Sequence, residues 1–108
     1  MGAVIPIRQI ALDSAGRCRV YPDAAADTSL YEFVNRAAAC VRWDAEAGSF
    51  FMLPVDGFTP IREYRQIISA VHDELGDLLV VNPRTTFVNI PAELEGAIHA
   101  FVWPTRTR

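Results

Sequence analysis

The chain has 108 residues, which suits one domain with one hydrophobic core and requires neither disulfides nor metals to hold it. With 51% apolar and 21% charged residues it matches folded soluble domains and excludes a disordered chain, a coiled coil or a collagen-like repeat. Ten basic residues against thirteen acidic ones leave a net charge of −3, so no broad cationic face for a phosphate backbone is expected, and nucleic acid is not an expected partner.

At the N-terminus, Arg8 interrupts the apolar residues and no stretch reaches the length of a signal-peptide core, so a cytoplasmic location is expected. The longest apolar runs, Ala37 to Val41 and Phe50 to Leu53, fall far below the roughly 18 residues of a spanning helix, and no membrane association is expected. Cys18 and Cys40 form no CxxC pair and sit near no second ligand cluster, which reads as buried free thiols. Residues 7 to 22 read as a hairpin about the turn Asp13-Ser14-Ala15-Gly16, with Cys18 and Val20 on one face of the second strand and Arg17, Arg19 and Tyr21 on the other.

Residues 29 to 44 carry two patterns. As a helix, Ser29 and Glu32 make a capping box, and Leu30, Phe33, Val34, Ala37, Ala38 and Val41 make an apolar stripe. As a strand, Tyr31, Phe33, Ala37, Ala39, Val41 and Trp43 alternate with Glu32, Arg36, Arg42 and Asp44. The alanines and the capping box favour helix to about Ala38 and strand from Cys40 to Trp43, with one long strand as the alternative.

A turn over residues 44–49 then pairs that strand with Phe50 to Leu53. Thr59 as N-cap, Pro60 at the first helical position, Glu63 in the first turn and Gly76 after the last turn bracket a helix whose stripe is Ile61, Tyr64, Ile67, Ile68, Val71 and Leu75. Leu78 to Val81 and Thr86 to Ile90 flank Asn82-Pro83-Arg84-Thr85 as a third hairpin. Pro91 opens a last helix with Glu93 and Glu95 in its first turn and Leu94, Ile98, Phe101 and Val102 as its stripe. Hairpins in series, with helices between and after them, predict a single α+β domain over residues 1–108. It is an antiparallel sheet with helices on one face, a two-layer sandwich.

No Gly-rich phosphate loop, HExxH, GxSxG or metal-spaced Cys/His pattern is present, and all ten basic residues are arginine, so Schiff-base and P-loop chemistry lack their lysine. No catalytic residue, cofactor or metal follows from the sequence. The candidate ligand-binding set is Arg36, Trp43, Tyr64 and His72, lining a pocket between the long helix and the sheet. Each also has a structural role open to it: Trp43 and Tyr64 as core aromatics, with Tyr31 sharing that duality, His72 as an interfacial histidine, and Arg36 as half of an ion pair. Trp103 near the C-terminus has the choice of capping the core or meeting a partner chain.

The stretches Arg8-Gln9-Ile10, YEFVNRAA from Tyr31, VRWD from Val41, YRQIISAV from Tyr64 and VNIP from Val88 resemble small proteins encoded on bacterial integron gene cassettes. The resemblance implies a mobile bacterial gene of adaptive role and a small α+β fold, and brings no site residues with it. Taken together, the expected function is a non-catalytic binding or protein-interaction module, with a homodimer through a sheet edge or exposed apolar surface as one partner and a small molecule as another. The alternative is a small-molecule-binding protein or small enzyme using the pocket named above.

Overall fold

The computed structural model describes residues 3–38 and 40–101. Strand β1 (Val4–Leu12) turns into β2 (Cys18–Pro22) as an antiparallel hairpin, with a register irregularity between Ile7 and Gln9. The predicted turn forms because Asp13 closes it twice: its carbonyl accepts from the Gly16 N–H at 2.8 Å, and its Oδ1 accepts from the N–H groups of Ala15 and Arg17. Gly16, at φ +78°, supplies the left-handed step.

Between Tyr31 and Ala37 the chain is helical, as a single 3-10 turn (Tyr31–Phe33) running into the short helix α1 (Val34–Ala37), so the long-strand alternative does not hold there. The capping box does not form either. Asp27 Oδ1 accepts from the Ser29 N–H, and the helical turn begins after Leu30 with no side-chain cap. The apolar stripe shifts accordingly: Tyr31 and Val34 are buried, while Leu30 and Phe33, expected inside, are exposed at 70% and 46%. Trp103, Arg106, Arg108 and Val102 of the last predicted stripe lie outside the described residues, as does Ala39.

Strand β3 (Val41–Asp44) pairs antiparallel with β4 (Ser49–Met52), and the Asp44 carboxylate accepts from the Glu46 and Ala47 N–H groups across the turn. β3 is a sheet edge, and its Trp43 N–H donates to Asn35 Oδ1 at 2.8 Å, so α1 covers part of that edge. Helix α2 (Pro60–Leu75) has the predicted ends, Pro60 in its first turn and Gly76 at φ +78° closing it, although the Thr59 side chain makes no cap bond. It packs against β2, β4 and β5 (Leu78–Val80), burying Tyr64, Ile67, Ile68 and Val71. Helix α3 (Ala92–Ala100) lies against α2 and contributes the buried Ile98.

The third hairpin is overturned. β5 and β6 (Thr86–Val88) do not pair with each other; both run parallel to β1, β5 along Val4–Pro6 and β6 along Gln9–Ala11. The sheet is therefore mixed rather than antiparallel, in the order β3-β4-β2-β1-β5 with β6 also on β1. Residues that suggested a hairpin turn instead tie a loop back to the sheet. Buried Thr85 accepts the Asn82 N–H on its Oγ1 and donates to the Ile7 carbonyl at 2.7 Å, at the point where β1 changes partner.

One buried carboxylate was not expected. Glu63, read as a first-turn residue marking the start of the helix, is 2% exposed; its Oε1 accepts from the Cys18 N–H at 3.1 Å, and its Oε2 pairs with Arg17 Nη2. It clasps α2 to the β1–β2 hairpin. Beside it, Cys18 is 1% exposed, and burial, with Glu63 and Asp13 nearby, pushes its thiol up to about 12. Cys40 is only half-buried. In the native state at pH 8, a thiol-specific disulfide reagent is expected to titrate Cys40 promptly and Cys18 only at the rate of unfolding, as a stopped-flow trace will show. Two equal fast phases would contradict the placement of Cys18.

Candidate functional site

The four sequence candidates occupy separate places. Trp43 is 8% exposed and belongs to an aromatic cluster, 4.8 Å from the Tyr31 ring and 4.7 Å from Phe50. Tyr64 is 3% exposed on the inner face of α2, edge-on to Phe101 at 5.9 Å, and burial drives its hydroxyl far above its ordinary pKa. His72 is half-exposed near the end of α2, with Nδ1 3.8 Å from Asp73 Oδ1. Arg36 is exposed on α1 and lines a surface cavity with Leu30, Glu32 and Phe33. The space between α2 and the sheet is packed by Val20, Phe50, Ile67, Ile68 and Val71, each at most 1% exposed.

The arginines on the hairpins are engaged with the protein itself. Arg19 bridges Asp13 (3.2 Å) and Asp44 (3.1 Å), donates to Ser49 Oγ, and lies over the Phe51 ring. For Asp44, hydrogen bonds from the Ala47 backbone and from Arg19 hold its carboxyl below the usual carboxylate range. Arg42 donates to the Ala38 and Val41 carbonyls.

The fold builds a different site at one end of the sheet. A surface cavity of about 440 Å³ opens between the start of β1, the loop over residues 23–30 and the C-terminal end of α2. Its walls are aliphatic, from Val4, Ile5, Leu30 and Leu75, and among the described residues its charged lining is acidic: Asp23, Asp27 and Asp77. Each carboxylate is aimed by a backbone bond on Oδ1, from the N–H of Ala25, Ser29 and Ala3 respectively. The parallel pairing of Val4 with Leu78 brings Asp77 and Ala3 together, and the Asp23 N–H donates to the Pro6 carbonyl, which anchors the loop to β1.

Tyr31 also lines this cavity. Its ring is held by Trp43 and Phe50, it is 1% exposed, and its hydroxyl is buried without a hydrogen-bond partner. Burial, with Asp77 and Asp27 nearby, pushes that hydroxyl up to about 12, so it stays neutral at physiological pH, able both to donate and to accept. Native proteins leave few buried polar atoms unpaired, which makes this one informative.

The sequence singled out Tyr31 only as one aromatic among several, and it assigned no site role to Asp23, Asp27 or Asp77. Asp23, Asp27 and Tyr31 lie within one short stretch of chain, but no spacing links them to Asp77; the parallel β1–β5 pairing makes it their neighbour.

Among the described residues no His, Cys, Asp and Glu group is arranged to hold a metal ion, and no helix is long and apolar enough to cross a membrane. No protein-family model matches the sequence, and neither does any curated protein. Among solved structures, the chain is similar to the integron cassette protein Hfx_Cass5 from the mobile metagenome of the North West Arm sewage outfall. Identity is 26% over 87% of this chain and 90% of that one, with a TM-score of 0.40.

Proposed function

We propose that the protein is a non-catalytic binding module of the cytoplasm, a two-layer α+β sandwich that takes a small molecule in the cavity at the head of β1. The observation that carries this reading is the Tyr31 hydroxyl, buried, neutral and without a partner, on a residue that lines the cavity. A buried hydroxyl left unpaired costs about 1–3 kcal/mol, and a ligand that hydrogen-bonds to it recovers part of that cost on binding. Two free thiols support a reducing compartment.

Tyr31→Phe is the test. Without ligand, the variant is expected to be more stable than the parent by about 1 kcal/mol, raising the melting temperature by about 4 °C, because an unsatisfied group has been removed and the ring kept. In a thermal-shift screen of small molecules, ligands that stabilise the parent are expected to lose much of their effect on the variant. If Tyr31→Phe destabilises the unliganded protein, the hydroxyl has a partner and the reading fails.

A further inference from the structure

We propose that the ligand of this cavity is a small organic monocation, an ammonium group on a short aliphatic body; this rests on the cavity being a ligand site at all. Three features of the cavity agree. Among the described residues, its charged lining consists of the carboxylates Asp23, Asp27 and Asp77, with no arginine or histidine. It lies at the C-terminal end of the sixteen-residue α2, where Leu75 forms part of the wall and the aligned peptide dipoles place partial negative charge. Finally, Tyr31 lines the same cavity, and its buried, unpartnered hydroxyl offers an acceptor to an N–H donor.

A small anion is disfavoured by the three carboxylates and by the helix end, and a hydrated metal ion leaves the aliphatic wall of Val4, Ile5 and Leu30 without a role. An ammonium with an apolar tail satisfies both: the head meets the carboxylates and the hydroxyl, and the tail covers the aliphatic surface. Leu30, 70% exposed in the unliganded protein, is the residue whose burial such a tail increases most directly.

The experiment is a titration of the full chain with three probes of equal chain length, n-hexylammonium, 1-hexanol and hexanoate, followed by backbone amide NMR and calorimetry. Hexylammonium is expected to bind at least tenfold more tightly than hexanol, with hexanoate weakest, and to shift the amides of residues 3–6, 23–31 and 77. The double substitution Asp27→Asn with Asp77→Asn keeps Oδ1 as an acceptor for Ser29 and Ala3 while removing two charges. It is expected to erase the tenfold preference, bringing hexylammonium to the affinity of hexanol for the same variant. Equal binding of hexanol and hexylammonium, or tightest binding of hexanoate, overturns the cationic assignment while sparing the cavity as a ligand site. Failure of all three probes to perturb the cavity residues overturns both.

Discussion

Glu63→Ala is expected to cost about 3 kcal/mol, the lower end of what breaking a buried ion pair costs, because its partner Arg17 keeps a quarter of its side chain in solvent. The loss has two parts. The Cys18 N–H, inside the sheet, loses its acceptor, and the Arg17 guanidinium, whose Nε already lacks a partner, loses its counter-ion. Against a total stability of about 5–15 kcal/mol for a domain of this kind, that is a large fraction, and the urea midpoint will fall with the slope unchanged. Glu63→Gln, which keeps an acceptor for Cys18, is expected to lose roughly half as much. Replacing both partners by leucine is expected to recover most of the deficit, since the pair's value lies in not leaving one charge buried alone. A loss below about 1 kcal/mol for Glu63→Ala would sink the clasp as a determinant of how α2 sits on the hairpin.

Phe50→Ala is expected to be at least as damaging, about 3–5 kcal/mol. Phe50 is fully buried, and its ring packs 4.9 Å from Tyr31 and 4.7 Å from Trp43. Removing it deletes apolar area and leaves a void between two rings that are themselves anchored, Trp43 through its backbone bond to Asn35, so the gap does not close cheaply. Phe50→Leu, which restores most of the volume, is expected to cost less than half of that. Because Tyr31 leans on Phe50, the alanine variant is also expected to weaken ligand protection at the cavity even where the fold survives. Unfolding followed by circular dichroism gives the first quantity and the ligand-induced thermal shift the second.

The readable parts of this sequence were those in which a residue and its consequence lie close along the chain. Asp13 and Gly16 announce the first turn, Pro60 and Gly76 the ends of α2, and the Ile67, Ile68 and Val71 spacing its inner face; all are found where the periodicity puts them. Residues 29–38 were harder. The capping box and the long strand were both locally plausible, and the outcome, one short helical turn with Tyr31 and Val34 inside, was settled by an aromatic cluster whose members come from three separate segments.

By itself the sequence established a soluble-type α+β composition, the β1–β2 and β3–β4 hairpins and the amphipathic α2, because turn chemistry and side-chain period act over a few residues. Tertiary structure alone decided that β5 and β6 lie parallel to β1, that Glu63 is buried, and that Asp23, Asp27, Asp77 and Tyr31 share a cavity. The physical reason is the range of the interactions. The partners of Val4, Cys18 and Tyr31 are brought in from distant parts of the chain by the burial of apolar surface, and no local pattern records which distant backbone or carboxylate will arrive beside them.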